Sequence, residues 1–162
     1  SGTHFVLLPG DEAVYCVEPE LAGEGTFVLP VGADFREFLS HVLFCKCTSP
    51  LAQIFMMDEA RFRKLLADNA ANTWPGCEED FKRRDVSLAA VAETFGIQPQ
   101  DPFQRVKALQ AAFDPSKLEF SDEYYDTLGL DNPRHPEEQE LNTGRDVAVT
   151  TIFYTDHQED TP

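Results

Sequence analysis

Residues 26–43, TFVLPVGADFREFLSHVL, hold the junction on which the fold turns. The first part, residues 26–31, is rich in branched and aromatic side chains that suit a pleated, half-buried surface, and it reads as a strand. Pro30 has no amide to donate, which puts it at a strand end or on a sheet edge. Asp34 is then an N-cap candidate, and Glu37, three residues on, completes a capping-box-like pair. Phe35, Phe38, Leu39, Val42 and Leu43 follow at i, i+3, i+4, i+7 and i+8, one apolar stripe of a helix expected to pack on the sheet.

Toward the N-terminus, residues 3–8 (THFVLL), the turn Pro9-Gly10-Asp11 and residues 13–18 (AVYCVE) have the spacing of an antiparallel hairpin. A loop over 19–25 with two glycines joins it to the third strand. Toward the C-terminus the period is helical. A short helical turn is expected over 50–55, then a helix over 58–69 with Phe62, Leu65 and Leu66 on its buried face. Trp74-Pro75-Gly76 breaks the chain. A longer helix over 78–95 should turn Phe81, Leu88, Val91, Ala92 and Phe95 inward and close on Gly96, where a left-handed residue costs little. Asp101-Pro102 opens another helix, with Phe103, Val106, Leu109 and Phe113 as its stripe, ended by Asp114-Pro115. A last turn over 121–128 carries Tyr124 and Tyr125.

From residue 131 the composition changes. Residues 131–146 are polar, hold two prolines and have no apolar period, which reads as a connector. Residues 147–155 (VAVTTIFYT) are a strand candidate, expected to return to the sheet or to pair with another chain. Strands, then helices, then a strand, is the order of an α+β fold rather than a parallel βαβ sheet. The expectation is an antiparallel sheet of N-terminal strands packed on several helices, one domain over 1–130, with 131–162 a polar connector and terminal strand of the same domain. No internal repeat occurs.

A chain of 162 residues is long enough to bury a core of its own, and 42% hydrophobic content with 13 phenylalanines argues against disorder over most of it. Charge is the outlying property: 29 acids against 13 bases give −16. Residues 1–57, 58–130 and 131–162 carry −5, −5 and −6, so the excess is not confined to a tail. Phosphate backbones and anionic membranes repel such a surface, so neither nucleic acid nor membrane is an expected partner. A basic protein partner is the sharper reading of the charge, and solubility the plainer one.

No apolar stretch approaches the roughly 18 residues of a membrane span, and no signal peptide is visible. The chain opens Ser1-Gly2, so residues upstream of it are expected. Cys16, Cys45, Cys47 and Cys77 show no disulfide pattern and fit buried thiols in a cytoplasmic protein.

The residues were tested for chemistry. One tight pair, Cys45 and Cys47, with two scattered cysteines is not the double knuckle of structural zinc, and no metal is expected. His4, His41, His135 and His157 are equally scattered, and His41, beside the stripe of the first helix, reads as a partly exposed or hydrogen-bonded imidazole. There is no Gly-x-Ser-x-Gly elbow, although Cys16 or Cys45 with His4 or His41 leaves a Cys–His pair open. No phosphate loop or dinucleotide fingerprint occurs, so no cofactor is expected. Lys82-Arg83-Arg84 is the one basic cluster, with Arg83 and Arg84 set to pair with Glu79 and Asp80 across a turn.

The runs GTHFVLLPG, VYCVEPE and TFVLPVG, followed by ADFREFLSHVL with Phe35, Glu37, Phe38 and Leu39, resemble the SUKH superfamily of Smi/Knr-type proteins. The later LQAAFDPSKLEFSDEYYD is similar to the C-terminal region of some bacterial members. The chain departs from the family in lacking the helical N-terminal portion and in its longer helices over 50–100. The resemblance implies a non-catalytic binder of the immunity type, which neutralises a basic toxin domain by occluding it. The alternatives are a regulatory or structural interaction domain with no toxin, and a small hydrolase-like enzyme. For a binder, the candidate contact residues are the acids Asp11, Glu12, Glu20, Glu24, Glu78, Glu79 and Asp80. Trp74, Tyr124 and Tyr125 are candidate aromatic anchors, with ordinary packing as the alternative for each.

Overall fold

A computed structural model describes residues 2–19, 27–71, 76–129 and 131–135. Glu20, Glu24 and Trp74, the expected strand at 147–155 and most of the 131–146 connector lie outside the described residues. The chain divides into two compact units, Ser1–Lys117 and Leu118–Pro162.

The first unit is built as the sequence predicts, in an α+β arrangement. Strands β1 (His4–Leu7), β2 (Val14–Val17) and β3 (Val28–Gly32) form an antiparallel meander in the order β1-β2-β3, with Phe5 opposite Cys16 and Cys16 opposite Leu29. The ladder slips once. Val14 faces Gly32 while Tyr15 faces Pro30, which leaves Val31 as the extra residue of a bulge. Pro30 is tolerated because β3 is an edge strand of this sheet.

Helices α1 (Phe35–Cys45), α2 (Ser49–Gln53), α3 (Glu59–Ala71), α4 (Glu78–Phe95) and α5 (Phe103–Ala112) follow, with a 3-10 turn at Ile54–Met56 after α2. The start of α1 is fixed by its caps: Asp34 Oδ1 accepts the Glu37 amide at 2.7 Å. The return bond of the Glu37 carboxylate lands on the Ala33 amide at 2.6 Å, one residue ahead of the cap. Gly96 closes α4 in the left-handed region at φ 59°, as its sequence position predicts.

The core lies between one face of the sheet and α1, α2, α3 and α5. Val31, Leu51, Ile54, Phe62 and Val106 are fully buried in it. Gly32 is required where α1 meets β3: a Cβ there would stand 2.8 Å from the Phe38 backbone nitrogen.

Two side chains expected inward are not. Phe35 is 54% exposed, because the buried line of α1 runs through Phe38, His41 and Cys45 and Phe35 lies a turn ahead of the Gly32 contact, its ring centre 6.1 Å from that of Phe38. Phe95 is also 54% exposed, because the chain turns at Gly96 and Ile97 takes the inward place instead. Along all of α4 no residue is fully buried; Phe81, Leu88, Val91 and Ala92 are half-buried. Among the described residues no helix is long and apolar enough to cross a membrane.

The second unit contributes α6 (Asp122–Leu128), capped by the Ser121 hydroxyl at its start and by Gly129 in the left-handed region at its end. Phe120 stacks on Tyr124 at 4.3 Å between ring centres, and Tyr125 stands edge-on to Tyr124 at 5.2 Å. Arg134 pairs with Asp122 at 2.7 Å.

Candidate functional site

An open groove of about 440 Å³ lies beside β1 in the first unit. Its floor and walls come from three places in the chain: Thr3 just before β1 and Phe5 on it, Glu18 just past β2, and Ser49, Ala52 and Met56 on α2 and the 3-10 turn. The alternation of a strand puts Thr3 and Phe5 on one face. Cys16, opposite Phe5, and Glu18 fall on the same face, so the groove opens onto the core-facing side of the sheet at its β1 margin. Thr3 Oγ1 donates to Glu18 Oε1 at 2.8 Å and fixes the carboxylate at the groove mouth. The opposite wall is braced from α5, where Lys107 Nζ donates to the Phe55 carbonyl at 2.9 Å. Met56 is 51% exposed, and so is Leu7 to 60% on the same strand as Phe5. Among the described residues β1 has β2 as its one strand partner, so alternate amides and carbonyls of His4–Leu7 point outward from the sheet.

A second, polar cleft of about 370 Å³ lies between the start of α1 and the segment after α4, with Arg36 Nη2 donating to the Gly96 carbonyl at 2.8 Å across it.

A buried histidine, with part-exposed ion pairs around it, was not revealed by the sequence. His41, expected to be partly exposed or hydrogen-bonded, is 1% exposed. Its Nδ1 lies 2.9 Å from the carbonyl of Val31, the bulge residue. A carbonyl only accepts, so Nδ1 carries the proton and the imidazole satisfies an oxygen displaced from the ladder. Nε2 is buried and has no hydrogen-bond partner among the described residues. Burial pushes the imidazole below the ordinary histidine range, against the pull of the Val31 carbonyl and Glu37. Around it, Arg105 Nε donates to Glu37 Oε1 at 2.8 Å, and Arg63 pairs with Asp101 at 2.6 Å and Glu59 at 2.7 Å. Burial raises the Glu37 and Asp101 carboxyls. Backbone amides with Arg105 and Arg63 outweigh it and hold both below the usual carboxylate range.

The thiols of Cys16 and Cys45 are held in the protonated form. Burial pushes Cys16 and Cys45 up to about 12, with the Glu18 carboxylate adding to the effect at Cys16. Cys47 is raised by the same cause. A thiol in that state does not supply the thiolate from which cysteine chemistry starts. Among the described residues no group of three or more histidine, cysteine or carboxylate side chains could hold a metal ion.

The candidate contact residues fall in separate places. Asp11 and Glu12 share the exposed β1–β2 turn, where Asp11 is engaged by the Tyr15 hydroxyl at 2.7 Å and the Ala13 amide at 2.9 Å. Those two bonds hold its carboxyl below the usual range. Burial first, then Asp11, pushes the Tyr15 phenol up to about 12. Glu78, Glu79 and Asp80 share the exposed first turn of α4. Asp80 meets Arg83 at 3.8 Å, and Arg84 turns to Asp85 at 3.0 Å. Tyr124 and Tyr125, half-buried, belong to the aromatic cluster of the second unit. Asp11, Glu12, Glu78, Glu79 and Asp80 do not line the groove. Its residues gave no common signal in the sequence, since they come from separate elements; only the placement of β1 at a sheet margin could have pointed there.

No protein-family model, curated protein or solved structure matches this chain.

Proposed function

We propose that this chain is a non-catalytic protein-binding domain whose partner is basic, of the kind that the resemblance to SUKH immunity proteins implies. One observation carries the reading: a net charge of −16 is spread along the whole sequence, and Glu12, Glu78, Glu79 and Asp80 stand on the surface instead of being consumed in buried ion pairs. Such a surface accelerates encounter with a positive partner and rejects negative ones. A toxin domain with a basic cleft for nucleic acid is a partner of that chemistry, and the acidic binder would occlude it. The raised thiols of Cys16 and Cys45 support the non-catalytic part of the reading.

Co-purification of the full chain from its native host at low salt tests this. The expected result is a basic protein released as salt is raised. Reversing the charges of Glu78, Glu79 and Asp80 together to lysine is expected to slow association about tenfold. Recovery of no partner at low salt overturns the proposal.

A further inference from the structure

We propose that the groove beside β1 receives an extended segment of the basic partner, which adds to the outer edge of β1 as a fourth strand and places an apolar and a basic side chain two positions apart. This rests on the protein-binding reading and names its contact surface. The edge supplies the affinity common to any extended chain, since alternate backbone groups of His4–Leu7 face away from β2. The groove supplies the selectivity. An added strand alternates its side chains, so residues i and i+2 share the face on which Thr3 and Phe5 lie. The residue beside Phe5 enters between Phe5 and the half-exposed Met56, a space that suits an apolar chain. The residue beside Thr3 reaches over the Thr3 hydroxyl to the Glu18 carboxylate, the one charged side chain lining the groove among the described residues, and this selects lysine or arginine. The bond from Lys107 to the Phe55 carbonyl holds the far wall, so little ordering accompanies binding.

The test uses three capped octapeptides on a serine–threonine background: leucine and arginine two positions apart, the same two residues adjacent, and leucine with glutamate two positions apart. Amide shifts of the isotope-labelled full chain follow each titration. The expected result is saturable binding of the first peptide, with shifts confined to residues 3–7, 18 and 48–56. The other two bind at least about tenfold more weakly, because adjacent residues fall on opposite faces and glutamate meets a like charge. Glu18→Gln and Met56→Lys each weaken the first peptide about tenfold, whereas Val86→Lys, matched in charge to Met56→Lys on exposed α4, leaves it within about twofold. Equal binding of the three peptides, scattered shifts, or no saturation overturns the inference. So does concentration-dependent self-association that shifts the same β1 amides, which would make a second copy the occupant. If the peptides fail while a basic protein co-purifies and the lysine reversals at residues 78–80 slow it, the groove is discarded and the binding reading stands. If both fail, both fall.

Discussion

Helices α1 and α4 were drawn by the same kind of sequence pattern, yet they stand in different relations to the core. The eleven residues of α1 bury Phe38, Ser40, His41 and Cys45, whereas the eighteen of α4 bury none completely. A capped, amphipathic segment is enough to define a helix, but not to decide how deeply its apolar face is covered. That depends on how closely the partner element approaches. At α1 the approach is set by Gly32, whose missing Cβ lets the Phe38 backbone come against β3. Alongside α4 the links to α1 are polar and at the margins: Arg36 to the Gly96 carbonyl and Lys46 to Asp85 at 3.5 Å.

The contrast can be broken most strongly in the core that α1 covers. Phe62→Ala removes a ring that is 0% exposed and is expected to cost about 3–5 kcal/mol in urea unfolding. Leu88→Ala on half-buried α4 should cost well under half of that figure; equal losses would show that α4 is as integral as the core. Gly32→Ala tests the close approach itself. The added methyl has backbone, not a yielding side chain, in its way, and about 1–3 kcal/mol of overpacking is expected. No loss there would mean that α1 can shift outward freely.

The smallest effect sharpens the comparison through pH. His41 is held neutral by burial, so the unfolded chain takes up a proton near pH 6.5 that the folded chain refuses until its own lower pKa is reached. Between those two values the unfolded state binds more protons, and stability falls as pH falls, by at most about 1.4 kcal/mol per pH unit. Above the ordinary histidine range this contribution is fully present. Urea unfolding at pH 7 and 5.5 should show the slope, and His41→Gln should flatten it while Val86→Lys on α4 leaves it intact. The lowered Glu37 and Asp101 carboxyls act in a more acidic window and do not mimic it.

What the sequence made legible were local signals. Asp34 and Glu37 announced the start of α1, and the acids at 78–80 with Gly96 announced both ends of α4, whose bounds agree with the expected 78–95. Helix periodicity also located Phe62, Phe103 and Val106 in the core. Relations across long separations were not legible. Glu37 meets Arg105 and Arg63 meets Asp101 from distant parts of the chain, and charge in a sequence with 29 acids carries no address. The bulge at Val31 was equally hidden, and with it the reason for a buried His41. The groove was hidden for the same reason: β1, the end of β2 and the α2 region each supply ordinary residues, and only the fold brings them together.

The open margin of β1 also bears on how the molecule keeps to itself. A bare strand edge offers any second copy a template, and here it is only four residues long. Two copies pairing edge to edge would bring their strands to about 4.8 Å, inside a Debye length of about 8 Å in physiological salt, so their repulsion at −16 each is not screened away. On the proposed reading, the acidity would favour a positive guest at this edge over a second copy of the chain. As pH approaches 4.4, where the net charge vanishes, that repulsion is lost and self-association is expected to rise.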